Sequence, residues 1–252
     1  MKNIVDTLLQ RTSVRRYERQ AIEPEKTALI YQAIACSPSS YNGQQYCVIA
    51  IDNQELKEEI YALTGQKQIK TCALFLVFCS DYHKIEVATQ QKELPLPPFQ
   101  RTLDGILVGV IDASIALSNA RIMAEAMGLG CCCIGYIRTA APHKLSELLQ
   151  LPKGVAIVCG LAIGYPREQP DQRPKQDQSL VIHHNHYHEE GMEELLLRHD
   201  HNIALHNHSH SIGTTDKGWA IHMTEYYKEG MTYHTMGYYK DQGYGILEEY
   251  DV

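Results

Sequence analysis

What this chain lacks narrows its options first. It has no dense basic stripe, and its formal net charge is −7, which argues against nucleic acid as a partner. Residues 1–10 contain no apolar stretch of the secretory kind, so no signal peptide is visible and a cytoplasmic protein is expected. The longest apolar segment, Leu103 to Met127, is interrupted by Asp104, Asp112, Asn119, Arg121 and Glu125, so a membrane partner is not expected. No His-Glu-x-x-His metal motif occurs, no Gly-x-Ser-x-Gly elbow and no Gly-x-Gly-x-x-Gly turn. The eight cysteines include no Cys-x-x-Cys pair. The adjacent run Cys131-Cys132-Cys133 suits neither disulfide nor zinc geometry. Free, mostly buried thiols are expected, with a reactive thiol in that run left open because Gly135 is close by. No internal repeat is present.

What remains is a soluble globular composition, 252 residues with 44% apolar and 21% charged side chains, enough for one domain or one domain with an extension. The pattern predicts short helices at Ile4 to Gln10 and, opened by Pro24, to Cys36. A strand follows at Cys47 to Ile51, and Asn53 can cap a helix from Gln54 to Leu63. The unbroken apolar run Ala73 to Cys79 reads as a strand buried on both faces. Tyr82 to Arg101, with Pro95, Pro97 and Pro98, reads as a loop or a short helical excursion. Leu103 to Met127 is a long helix ended by Gly128. Its small residues spread around the circumference, which suits a core helix or a subunit interface. Strands are expected at Cys131 to Ile134 and Val155 to Ile163, with a helix at Pro142 to Gln150 between them. Beyond Tyr165 the chain turns polar. Nine of thirteen histidines fall within 183–210 and seven of sixteen tyrosines after residue 225.

Two polar segments carry the chemistry. Pro38-Ser39-Ser40-Tyr41-Asn42-Gly43-Gln44 lies at a helix-to-strand junction and offers hydroxyls and amides to something lying across it. Arg11-Thr12-Ser13-Val14-Arg15 places guanidinium groups on either side of a hydroxyl, a combination suited to a phosphate. Together they describe a site for a planar, polar-edged, phosphorylated ligand, and FMN meets that description.

The same segments are similar to those of a known family. Arg-x-Ser-x-Arg followed by Ser-Pro-Ser-Ser-x-Asn-x-Gln resembles the nitroreductase family of FMN-dependent oxidoreductases. Thr64-Gly65-Gln66-Lys67 resembles the Gly-Gln-Lys turn of its group A nitroreductases and flavin reductases. Met127-Gly128-Leu129-Gly130, then Cys133-Ile134-Gly135-Tyr136-Ile137-Arg138, resembles a further segment of that group. So does Gly160 to Pro166 with Arg173-Pro174-Lys175. The order is the family's from Arg11 to about Tyr187.

The resemblance implies an α+β fold, a mixed, mostly antiparallel sheet flanked by helices. It implies a core over residues 1–170 and a C-terminal extension, 171–252, that packs on a partner subunit in a homodimer. It implies FMN as cofactor and NAD(P)H as co-substrate. Arg11, Thr12, Ser13, Arg173 and Lys175 would address the phosphate end of FMN, and Arg15 the ribityl chain and the N1/C2 edge. Ser39, Ser40, Asn42 and Gln44 would contact the flavin from the same or the partner subunit. Gln66 would bond the pyrimidine edge, Gly135 would lie near N5, and Ile134 would also contact the cofactor. Tyr41, Tyr136 and Arg138 would meet the substrate. The flavin carries the redox chemistry, so no side chain is assigned as a catalytic acid or base. The expected activity passes hydride from NAD(P)H to the flavin and on to nitroaromatic, quinone or flavin acceptors.

Departures from the group A pattern are local. Thr12 and Arg11 follow the wider family's Arg-x-Ser form, and Tyr136 replaces a glycine and narrows the mouth. Arg173 and Lys175 exchange the usual order of the two cations. The stretch His206 to Lys217 has Lys217 as its only fixed cation where the group carries a basic loop, so strong NADPH selectivity is not expected. The histidine clusters at 183–188 and 206–210 read as solvated or packing groups, and no metal site is expected. The alternative function is a flavin- or metal-binding protein of this fold without significant turnover.

Overall fold

In the computed structural model, residues 3–210 and 217–247 are described. By their contacts they form two units, residues 1–170 with 234–252, and residues 171–233. The stretch expected as one extension from 171 to 252 is therefore divided, and its last part belongs to the first unit.

The first unit is built on four strands: β1 (Tyr46–Ile51), β2 (Leu74–Asp81), β3 (Gly130–Ile134) and β4 (Val155–Gly164), in the spatial order β1-β2-β4-β3. Every ladder among the described residues is antiparallel, so the sheet is not mixed. The reason lies in the connections. Two short helices separate β1 from β2, α3 (Gln54–Thr64) and α4 (Lys67–Thr71), and two separate β3 from β4, α7 (Ile137–Ala140) and α8 (Pro142–Leu148). Such a pair returns the chain to the end of the sheet it left.

Local chemistry fixes these helices. The Asn53 side chain accepts from Leu56 N at 2.8 Å and caps α3, which stops at Gly65 in the left-handed region, φ 68°, a conformation that favours glycine. Pro24 opens α2 (Pro24–Ala35), and Asn3 caps α1 (Ile4–Leu9). The segment read as a loop or a short helical excursion contains a helix, α5 (His83–Gln90), before the prolines, and only a 3-10 turn, Phe99–Arg101, after them.

Helix α6 (Leu103–Ala126) is long and apolar enough, by length and composition, to cross a membrane, yet in this fold it lies on the sheet. Its small residues form one buried stripe through Gly105, Gly109, Ala113, Ala116, Ala120 and Ala124. A Cβ at Gly109 would stand 1.9 Å from Ser80 Oγ, so the glycine is what lets helix and β2 approach. The larger Leu103, Leu107 and Ile111 are 57%, 46% and 50% exposed. The small residues thus face inward and the apolar outer face is made of large ones.

The core has a layer on either side of the sheet. One holds Ile60, Phe75, Val77, Ile137, Leu145 and Ile157, the other Ile30, Leu76, Phe78, Leu161 and Ile163 under α2 and α6. Every residue of β2 is buried, as its unbroken apolar run implies. A third cluster is aromatic and comes from the C-terminal return, which carries α11 (Thr235–Asp241). Tyr238 and Tyr244 pack with Tyr82 and Ala156. The Tyr244 hydroxyl meets Ser80 Oγ and the Gly154 carbonyl, each at 2.9 Å. These tyrosines, expected on a partner, fill this chain's own core.

The second unit contains α9 (Met192–His210) and α10 (Trp219–Gly230). Asp200 on α9 accepts from Ala220 N at 2.7 Å and so caps the start of α10, while His199 meets the edge of Trp219, centroids 5.7 Å apart. His206 to His210 form the last turn of α9 rather than a loop. Residues 211–216 of that expected loop lie outside the described residues.

Candidate cofactor site

The Arg11-to-Arg15 segment is locked along the outer strand β3. Val14 N donates to the Cys131 carbonyl at 2.9 Å, and the buried Tyr17 hydroxyl donates to the carbonyls of Val14 and Ala162 at 2.7 and 3.2 Å. Burial raises the Tyr17 phenol far above the ordinary tyrosine range, so this hydroxyl stays a donor. Glu168 accepts from the backbone N–H groups of Arg15 and Arg16 at 2.7 and 3.1 Å. A rigid backbone therefore presents the arginines.

Arg11 Nη2 donates to Ser13 Oγ at 3.1 Å, and Arg11 Nε is buried without a hydrogen bond. The carboxylate of Glu125 lies 3.8 Å from that Nε and also pairs with Arg121 at 2.6 Å. Arg15 is exposed, with Nη1 on the Ser13 carbonyl at 3.3 Å. Thr12 is half-buried between them.

The second segment is strained. Tyr41, Asn42 and Gln44 hold φ of 54°, 54° and 52°, a left-handed conformation that non-glycine residues adopt at a cost of about 1–3 kcal/mol each. The strain is offset by local bonds. Ser39 Oγ accepts from Gln44 N at 3.0 Å, and Asp112 of α6 accepts from Ser40 N and Ser40 Oγ at 2.9 and 3.2 Å. Asp112 is fully buried, and its Oδ2 has no hydrogen bond. Tyr41 is left 96% exposed.

Asp112 and Glu125 stand thirteen residues apart on α6, about 20 Å at 1.5 Å per residue. One chain thus separates its serine-rich loop from its arginine segment by that length. They also flank opposite edge strands of the sheet, β1 and β3.

Gly135 follows β3. A Cβ there would lie 3.4 Å from Arg138 Nη1. The β2–β4 register slips between Phe78 and Cys79 and skips Val158; the Val158 carbonyl takes Arg138 Nη1 at 3.0 Å. Arg138 is thus turned into the protein beneath Gly135, while Tyr136 is 39% exposed. Ile134 is buried. Gln66 is half-buried, and its Oε1 accepts from Gln68 Nε2 at 2.8 Å. The thiols of this region are not primed for reaction. Burial raises Cys131 and Cys132. Cys133, though exposed as a residue, is pushed up to about 11 by the protein around its sulfur and by Cys159, against Arg121 and Arg11.

Arg173 and Lys175 belong to the second unit. There burial, with His210 and Arg173, lowers the His206 pKa. The His206 carbonyl and the Asp171 carboxylate raise that of His210, whose Nε2 lies 2.7 Å from Asp171. Among the described residues no three His, Cys, Asp or Glu side chains converge on a metal position. Asp112, Arg121, Glu125 and Glu168 were not singled out from sequence as site residues. An acid in the middle of a long apolar helix was the available signal for Asp112.

Comparison with known proteins decides the family. A family model described as the nitroreductase family matches residues 8–165, and one described as the nitroreductase family C-terminal domain matches residues 173–246. The chain belongs to the nitroreductase family. It is 30% identical over 248 residues to an FMN reductase, NAD(P)H, of Bacillus subtilis (strain 168), covering 98% of this chain and 99% of that one. It is 32% identical over 225 residues to an oxygen-insensitive NADPH nitroreductase of Salmonella typhimurium, covering 88% and 90%. The solved structure of B. megaterium NfrA2 superposes with a TM-score of 0.92 at 31% identity, covering 98% and 100%. This nitroreductase family member is thus an oxidoreductase with the α+β nitroreductase fold, its sheet four-stranded and antiparallel.

Proposed function

We propose that this oxidoreductase is an FMN-dependent NAD(P)H reductase that works by a ping-pong cycle, nicotinamide and acceptor using one pocket in turn. The observation that carries the reading is the Arg11–Ser13 pair on a segment pinned to β3, in a chain that matches FMN reductases along nearly its whole length. The donor set fits the cofactor. Ser13 Oγ already accepts from Arg11, which leaves its own hydrogen and the Arg11 Nη N–H groups not spent on Ser13 for phosphate oxygens. Arg15, exposed beside Ser13, supplies positive charge for the N1/C2 edge. Gln66 has its oxygen occupied, so its amide hydrogens are what it offers a pyrimidine carbonyl. Gly135 would put no side chain against a bound flavin, and its neighbour Ile134 is apolar.

When bound, FMN would supply the redox chemistry, a two-electron carrier between NAD(P)H and a nitroaromatic, quinone or flavin acceptor. No side chain need act as an essential acid or base. Tyr41 and Tyr136 present exposed rings for stacking, and Arg138, whose backbone N donates to the Gly135 carbonyl at 3.2 Å and whose Nη1 donates to the Val158 carbonyl, would meet the substrate only by leaving that bond. The 20 Å separation along α6 favours a homodimer in which Ser39, Ser40, Asn42 and Gln44 of one subunit meet Arg11 to Arg15 of the other. The exposed row Leu103, Leu107 and Ile111 offers the apolar surface such a pairing buries. A cytoplasmic location remains part of this reading. Initial rates over a grid of nicotinamide and quinone concentrations test the cycle. Parallel double-reciprocal lines are expected, and lines intersecting left of the ordinate would rule out the ping-pong order.

A further inference from the structure

A cleft of about 1140 Å³ opens on the first unit beside α3, and none of its lining residues belongs to the set assigned to FMN. Lys57 lies in its wall and is only 4% exposed. Its Nζ donates to the Cys72 carbonyl at 2.8 Å, which uses one of the ammonium's three N–H groups. A cation taken this far from water is strongly unfavourable unless a negative group meets it. Around it stand Arg19, Lys70 and Arg167. Among the described residues none of the four cations forms an ion pair; Lys70 Nζ rests 4.0 Å from the centroid of the Tyr61 ring. The cleft holds two carboxylates. Glu58 accepts from Gln54 Nε2 at 3.0 Å, and Glu18 is exposed. Four cations against two carboxylates leave a local excess of two positive charges.

We propose that this cleft is a second, anion-binding site, separate from the flavin site, which takes a small molecule carrying a diphosphate. The charge excess matches such a group, and the two remaining Lys57 N–H groups reach it from within the wall. The size of the cleft leaves room for an organic moiety beside the phosphates.

The probe is inorganic pyrophosphate, titrated calorimetrically into the flavin-loaded protein while flavin absorbance is followed. The expected result is saturable binding with the flavin retained, weakened about tenfold or more in Lys57→Met, because a charge-assisted contact is lost. Lys57 is buried, so the more accessible lining pair Lys70→Gln with Arg167→Gln provides a variant that leaves Lys57 in place, and it too should bind at least about tenfold more weakly. Absence of saturable binding to the wild-type protein overturns the proposal. So does wild-type affinity in the Lys70→Gln/Arg167→Gln protein, or sulfate binding as tightly as pyrophosphate at equal ionic strength.

Discussion

Replacing Arg11 by alanine tests the phosphate assignment where the geometry is most specific. Arg11 donates to Ser13 Oγ and stands 3.8 Å from a Glu125 oxygen. Loss of a charge-assisted phosphate contact costs about 1.5–3 kcal/mol, which is about tenfold to a hundredfold in FMN affinity. Glu125 supplies the internal control. A phosphate bonded to Arg11 would lie about 7 Å from that carboxylate, a repulsion of about 2 kcal/mol at an effective dielectric of about 20. Screening by solvent and salt at this half-exposed position reduces it to about 1 kcal/mol. Glu125→Gln should therefore tighten FMN about fivefold, while Arg11→Ala weakens it. In the double variant the Glu125→Gln gain should persist in part, since its field acts on the phosphate as well as on Arg11. The assay is titration of apo-protein with FMN, read by quenching of flavin fluorescence. Arg11→Ala affinity within about threefold of wild type would refute the assignment.

Further predictions address the subunits, the C-terminal return and the histidines. If one subunit's loop completes the other's site, mixing inactive Arg11→Ala and Asn42→Ala proteins should restore flavin binding, because each mixed dimer has one site free of both changes; no recovery after subunit exchange would place both segments in one chain. Tyr238→Phe removes the hydroxyl that meets Ser146 Oγ at 2.8 Å and accepts from Ile157 N at 3.1 Å. With that buried N–H left unpaired, urea unfolding should show a loss of about 1–3 kcal/mol. His210 is held protonated above the usual histidine range by the His206 carbonyl and by Asp171, so its charge is present below the raised pKa and lost as pH climbs through it. Asp171→Asn should move its titration, followed by NMR, to lower pH. NADH and NADPH should be used with comparable kcat/KM near neutral pH, or NADH favoured, with preference moving towards NADPH as pH falls and His206, whose pKa is lowered, gains its charge last. A preference for NADPH at neutral pH that survives replacement of His206, His208 and His210 would place 2′-phosphate recognition elsewhere.

Much of the scaffold was legible because its signals are local. The Asn53 cap, the proline at the start of α2 and the unbroken apolar run of β2 each specify an element from adjacent residues. Between Tyr82 and Arg101 a loop and a short helical excursion were both open, because the three prolines obscure where a helix can run; they shape only the segment beyond Gln91. For α6 the sequence left a core helix and a subunit interface both open. Glycine and alanine look permissive in sequence, and only the close approach to Ser80 shows that they face the sheet. The C-terminal tyrosines presented the same difficulty, since aromatic residues suit a partner's surface and a core alike; the hydroxyl bonds of Tyr238 and Tyr244 distinguish the two. At the candidate site, the arginine and serine segments were readable as motifs. Their supports were not, because Asp112, Glu125 and Glu168 lie 72 to 153 residues from the groups they position.

Whether this chain is a flavin-dependent NAD(P)H reductase is decided most directly by adding NADH, then NADPH, to the purified protein under anaerobic conditions and recording the visible spectrum. A yellow protein should result from purification or from reconstitution with FMN. Its flavin absorbance should bleach with at least one nucleotide and return when a quinone is added, as the cofactor takes up and then gives away its hydride. A protein that does not retain FMN, or whose bound FMN keeps its colour with both nucleotides, would contradict the assignment.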